Sequence, residues 1–232
     1  MPTQILTRHT NKRIQLENSY IARQFNIPSW TRLRVGIHAS LMGPTIAGAF
    51  PHWTIGLCSG VTNVFPNNCH FAGFQTNNST MWTMQTIYVS SFGGTGAGTR
   101  WRLVKKVGAV TTYGADSNNT AGQNFGGGST YSANNGLIGI EYEKTSGTTW
   151  TLRPFCWTAS TTGNNFSDSF CLSAMEVPYG AMASVSEHNY VRTAETMTVD
   201  EGTDGVLDAV NVAWDRSGQY VEILNVFVTR LS

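Results

Sequence analysis

Two groups of acidic residues in this 232-residue chain have types and spacing that could do chemistry. Glu141 and Glu143 alternate with Tyr142 in Gly-Ile-Glu-Tyr-Glu-Lys. On a strand such a pair shares one face, at the separation of roughly 5–9 Å that glycosidases use for their two carboxylates. A solvated strand surface carries the same pattern, so the pair alone names no catalyst and no catalytic residue is assigned. Asp200, Glu201, Asp204 and Asp208 form the densest acidic cluster, in Val-Asp-Glu-Gly-Thr-Asp-Gly-Val-Leu-Asp. Hard cations gather several oxygens from one loop, so calcium is the one cofactor this stretch could hold. Its spacing departs from the helical calcium loop, and ordinary Asp and Gly turn chemistry accounts for it equally. No other cofactor is implied.

Other motifs imitate known sites and lack a required part. Gly56-Leu57-Cys58-Ser59-Gly60 has the letters of a nucleophile elbow with cysteine in place of serine. The elbow needs a helix after its turn, and turn-forming residues follow here. Gly93 to Arg100 looks like a phosphate loop, but Thr99 stands where the lysine must be. Cys58, Cys69, Cys156 and Cys171 contain no paired CxxC spacing, so zinc at Cys58, Cys69 and His70 lacks its usual framework.

Two further sets suit binding. Arg32, Arg34, Arg100, Arg102 and Lys106 fall on the outward phase of two strands. If those strands pair, they make a basic stripe for docking an acidic partner subunit, or a solvated edge. Trp30, Phe125 and Tyr131 lie in turn regions, the latter two near Asn124 and Asn134. Aromatics with amide neighbours can stack on a sugar ring and bond its hydroxyls, and they serve equally as subunit contacts.

The elements that must position these residues are strands. From Arg32 to Leu41, Leu33, Val35, Ile37, Ala39 and Leu41 share one phase, with Arg32, Arg34, Gly36, His38 and Ser40 on the other. Met81 to Ser90 breaks at a glycine-rich turn and resumes at Arg100, as a hairpin does. A second hairpin runs from Leu137 through Ser146-Gly147 to Thr158. A third is expected from Val206 to Trp214, returning as Tyr220 to Leu231. The last strand is apolar on both faces around Ile223–Val228, which calls for a central place in a sheet covered on both sides. From Ile14 to Phe25 the helical and strand periods fit equally. Gly114 to Gly136 reads as a long loop. Many short strands with turns between them predict one all-β domain, an antiparallel β-sandwich of jelly-roll type, with at most one short N-terminal helix. Residues 1–31 would then be an N-terminal arm or docking segment and 32–232 the sandwich.

Composition excludes several partners. Charged residues are 12%, about half the usual share of roughly 25%. Lys+Arg is 15 and Asp+Glu 14, for a net charge of +1, so no basic excess speaks for nucleic acid. No run of about 20 apolar residues speaks for membrane insertion. The first residues lack the continuous apolar core of a signal peptide, so synthesis in the cytoplasm with reduced thiols is expected.

The segments VLDAVNVAWD and YVEILNVFVTRL resemble the closing strands of concanavalin A-like jelly-roll sandwiches. GLIGIEYEKTSGTTWTL is similar to an inner hairpin of that fold. With its low charge, dense aromatics and Gly/Thr/Asn-rich loops, the chain also resembles surface proteins of tailed bacteriophages. That resemblance implies a non-enzymatic structural or attachment subunit of a phage-like particle, oligomeric and in contact with other particle subunits, with cell-surface glycan as a further partner. The alternative is a carbohydrate-active enzyme or free lectin of the sandwich class. Glycosidases of that class carry Glu-x-Asp-x-x-Glu, and Glu141-Tyr142-Glu143 lacks the remainder.

Overall fold

In the computed structural model the described residues are 4–8, 14–16, 19–25, 30–42, 51–59, 80–89, 98–108, 110–114, 135–158, 167–184, 189–192, 196–205, 207–214 and 220–232. They form strands β1 (Gln4–Arg8), β2 (Ile14–Leu16), β3 (Ser19–Gln24), β4 (Arg32–Met42), β5 (Pro51–Cys58), β6 (Met81–Val89) and β7 (Gly98–Val107). The remaining strands are β8 (Val110–Tyr113), β9 (Asn135–Ser146), β10 (Thr149–Thr158), β11 (Asn189–Arg192), β12 (Met197–Asp200), β13 (Ala209–Trp214) and β14 (Tyr220–Arg230). Helical segments are α1 (Asp168–Glu176), a 3₁₀ turn (Tyr179–Ser184) and the one-turn α2 (Glu201–Asp204).

The strands make two antiparallel sheets, the jelly-roll-type sandwich that alternation predicts. Sheet A runs β1-β14-β4-β9-β10-β11, and sheet B runs β3-β13-β5-β6-β7-β8. In sheet A, β2 continues the edge that β1 begins on β14, and β12 does the same for β11 on β10. The hairpins β6–β7 and β9–β10 form with the expected pairing.

Ile14 to Phe25, where helical and strand periods fit equally, holds the strands β2 and β3. Two expectations change. β1 and β2 pair with β14, and β3 pairs with β13, so this stretch contributes to both sheets instead of hanging outside them as an arm. β13 and β14 are not a hairpin: β13 lies between β3 and β5 in sheet B, and β14 lies beside β4 in sheet A. The chain crosses between layers there, because β13 buries Val210 and Val212 in the core while β14 is apolar on both sides.

The core between the sheets takes one phase of each strand. Leu33, Val35 and Ile37 of β4 meet Ile138, Ile140 and Tyr142 of β9, and across the gap lie Ile55, Leu57, Trp82, Met84 and Leu103. A second cluster lies on the other face of sheet A. There Leu137, Phe155, Trp157 and Phe227 are covered by Phe170, Cys171, Ala174 and Met175 of α1 and by Met182. The four α1 residues recur at helical spacing, a short 3.6-period signal that a strand-by-strand reading passes over. Ser167 caps the helix, its Oγ accepting from the Phe170 N–H at 3.1 Å. This third layer is the cover that the two-sided apolar pattern of β14 requires. Gly139 is fixed by it too, since a Cβ there would collide with the Phe155 ring and the Val35 carbonyl.

One side chain ties the sheets through their backbone. Tyr142 reaches across the core, its hydroxyl donating to the Trp82 carbonyl at 2.5 Å and accepting from the Leu57 N–H at 3.0 Å. Leu57 and Trp82 are register partners of β5 and β6, so the hydroxyl sits inside the ladder between them. Burial holds this phenol protonated well above its ordinary range. A Cβ on Gly56 would meet that hydroxyl and the β6 backbone, and the φ of 153° there also favours glycine.

Candidate functional site

The outer face of sheet B is lined by the strand phase that does not enter the core. Register aligns its residues in rows across the strands. One row holds Asn211, Gly56, Thr83 and Val104, and a second holds Thr54, Gln85 and Arg102. A third holds Ala209, Cys58, Met81 and Lys106. Thr54, Thr83, Gln85, Lys106 and Asn211 are all buried, an unusual density of polar groups on a shielded strand face. The face opens at the β7–β8 edge, where Arg102 is half-buried and Tyr113 is 40% exposed.

Two amides in these rows have side-chain atoms without a hydrogen-bond partner among the described residues. Asn211 is fully buried, and among the described residues neither its Oδ1 nor its Nδ2 has a hydrogen-bond partner. Gln85 is fully buried with its Nε2 unsatisfied among the described residues. Its Oε1 accepts from Arg102 Nε at 3.3 Å. Arginine only donates, so this bond fixes the amide orientation and leaves the nitrogen as the open end. The Arg102 guanidinium in turn lies 3.9 Å from the centre of the Tyr113 ring. Between Asn211 and Thr83 the row passes through Gly56, whose Cβ position is taken by the Tyr142 hydroxyl. Strand spacing puts Asn211 and Gln85 about 12 Å apart, two strands and one row removed. Each orphaned buried amide costs about 1–3 kcal/mol unless something outside the protein completes it.

The other titratable groups of this face are kept from reactive states by burial. Lys106 is pulled below the ordinary lysine range by desolvation. Burial, with a smaller contribution from Asp208, pushes the Cys58 thiol up to about 12. A thiol so protonated at neutral pH is no nucleophile.

The five cations expected to line one stripe are divided between the sheets, because β4 pairs with β14 and β9 while β7 pairs with β6 and β8. Arg34 is fully buried and so offers nothing to a docking partner. Arg32 and Arg34 belong instead to an ionic cluster on the outer face of sheet A. Arg32 Nη2 lies 2.9 Å from Glu141 Oε1, and Arg34 Nε and Nη2 each lie 2.6 Å from Glu141 Oε2. Arg153 Nη1 touches Glu141 Oε1 at 3.5 Å and makes a close ion pair with Glu143. Arg34 Nη1 also donates to the Met175 carbonyl at 2.9 Å, capping the end of α1. Arg102 and Lys106 stay on the sheet B face, and Arg100 lies in β7, its side chain outside the described residues.

This cluster disposes of the acid/base pair. Glu141 and Glu143 do share a face, but Glu141 is fully buried with both oxygens taken by guanidinium groups. The acidic cluster expected to bind calcium is similarly spent. Asp200 caps α2 by accepting from the Gly202 N–H at 2.9 Å, and its hydrogen bond from Thr148, foremost, lowers its pKa. Glu201 accepts from Lys144 at 2.6 Å and from Trp150 Nε1 at 2.8 Å. Asp204 accepts from the Asp200 N–H at 3.0 Å and pairs with Lys105 at 3.3 Å. Asp208 donates its backbone N–H to the Cys58 carbonyl, away from this turn. Among the described residues no three metal-ligating side chains converge, so the cluster does not fit a calcium ion.

Of the aromatic and amide residues proposed for sugar, Trp30 packs against the core and lies 6.2 Å from the Phe25 ring. Asn124, Phe125, Tyr131 and Asn134 lie outside the described residues. Asn211, Gln85, Thr54 and Thr83 were not singled out by sequence. Polar residues on the outward phase of a strand read as solvent-facing, and only the pairing partners show that these are enclosed.

Fold and site together define an antiparallel β-sandwich with a partly enclosed, amide-bearing outer face. No protein-family model and no curated protein matches the sequence. Among solved structures, the chain is similar to the exoplasmic/lumenal domain of VIP36 in its Ca2+/Man3GlcNAc-bound form, with 9% identity and a TM-score of 0.48 over 99% of this chain and 83% of that one. It is also similar to peanut lectin crystallised with a nine-residue peptide, with 10% identity and a TM-score of 0.45 over 97% of this chain and 89% of that one. Both are likenesses of overall chain path.

Proposed function

We propose that the chain is a non-enzymatic carbohydrate-binding β-sandwich that holds its ligand along the polar rows of sheet B. The carrying observation is the Asn211 amide, fully buried with both its oxygen and nitrogen unpartnered among the described residues. A sugar hydroxyl both donates and accepts, so two neighbouring hydroxyls suit the two ends of one amide. Thr54 and Thr83 on the same face add further neutral groups. The low overall charge suits such a ligand. Against an enzyme stands the Glu141–Glu143 pair, whose carboxylates are committed to Arg32, Arg34 and Arg153. Membership of a phage-like particle rests on composition and resemblance alone, and nothing in the site calls for it.

The test is a glycan array probed with the native chain and with Asn211→Ala. Native chain is expected to bind a defined set of glycans. The variant, with its fold verified by circular dichroism, should lose about tenfold or more in affinity for them. Unchanged binding by the variant would remove the site from sheet B.

A further inference from the structure

Resting on that reading, we infer that the ligand is an acidic sugar whose carboxylate is received by Arg102 and Gln85 where the polar rows open to solvent. The geometry is that of a prepared clamp. The Tyr113 ring lies 3.9 Å from the Arg102 guanidinium carbon, and the Gln85 oxygen holds Nε at 3.3 Å. These contacts fix the plane of the guanidinium at one face and one edge. Its two Nη groups remain, the parallel donors that carboxylates accept in bidentate fashion.

Two further observations point the same way. Arg102 makes no ion pair among the described residues, whereas Arg32, Arg34 and Arg153 on the opposite sheet each have a carboxylate partner. The nitrogen of Gln85, fully buried and unsatisfied, supplies one more donor next to the guanidinium. A wholly neutral sugar would leave the half-buried guanidinium without a counter-charge. A carboxylate meets both the charge and the excess of donors.

The ring that carries the carboxylate is left to the test, since uronic and sialic acids present the same group. Matched glycans of both kinds are immobilised as free acids and as methyl esters, and titrated with native chain, Arg102→Gln and Arg102→Lys. The native chain should prefer free acid over ester by about tenfold or more on at least one scaffold. Arg102→Gln should erase that preference while still binding the ester, and Arg102→Lys, which keeps the charge but not the fork, should restore part of it. Equal affinity of native chain for acid and ester overturns the clamp and leaves the carbohydrate reading standing. A preference that survives in Arg102→Gln also overturns it. Should Arg102→Gln not fold, the native acid-to-ester ratio decides alone. Failure to retain any of the glycans, acid or ester, on these or the wider array overturns both readings.

Discussion

At the scale of single residues, Glu141 shows how burial changes the meaning of a motif. In sequence it is half of a carboxylate pair. In the fold it is fully buried, with Arg34 on one oxygen and Arg32 and Arg153 on the other. Removing one member of such a buried set leaves uncompensated charge, which costs about 3–5 kcal/mol. Glu141→Gln keeps the volume and should therefore destabilise the chain by about that amount in urea denaturation. Glu143→Gln should cost less than about 1 kcal/mol, because Glu143 and its partner Arg153 are partly exposed and screened by solvent. Equal losses for the two would show that the cluster is not organised around Glu141. The spacing of the two glutamates was readable from the sequence. Their partners were not, since Arg32 and Arg34 come from β4 and Arg153 from β10, strands brought together only by pairing with β9.

At the scale of elements, β5, β6 and β9 are joined by the Tyr142 hydroxyl set into the β5–β6 ladder. The contact ties the floor of the proposed site to sheet A, because Gly56 and Thr83 flank the point of insertion. Gly56→Ala places a methyl group against that hydroxyl and the strand backbone and should cost about 2–3 kcal/mol. Tyr142→Phe should cost about 1 kcal/mol, the net worth of a hydrogen bond, as Leu57 and Trp82 close toward each other. The double variant should be more stable than the sum of the two predicts, by at least about 0.5 kcal/mol in a double-mutant cycle. Simple additivity would mean that the hydroxyl and the glycine are independent. Alternation alone located β4, β6, β7, β9 and β10, because a strand with one core face repeats with period two. It failed for β13 and β14, where adjacency in sequence suggested a hairpin and the chain instead crosses between sheets. It also passed over α1, whose apolar face is only four residues long.

At the scale of the whole molecule, the scarcity of charge takes on a second meaning. Only 12% of residues are charged, and Arg34, Lys106, Glu141 and Asp204 are buried, so part of a small stock is spent inside. The surface is left still more neutral, as suits a protein that recognises hydroxyl-rich ligands. Of the three layers, α1 on sheet A and sheet A on sheet B, the outer face of sheet B carries the Asn211 and Gln85 amides. The proposed site was the part least open to sequence reading. Asn211 and Gln85 differ in no way, residue by residue, from solvated amides on any strand, and their enclosure is a property of the assembled sheet. The most direct test follows the side-chain amide resonances of Asn211 and Gln85 by heteronuclear NMR while a glycan that the array selects is titrated in. Both NH₂ groups are predicted to shift saturably with one dissociation constant. A glycan that binds the chain while both resonances stay unmoved would contradict the account.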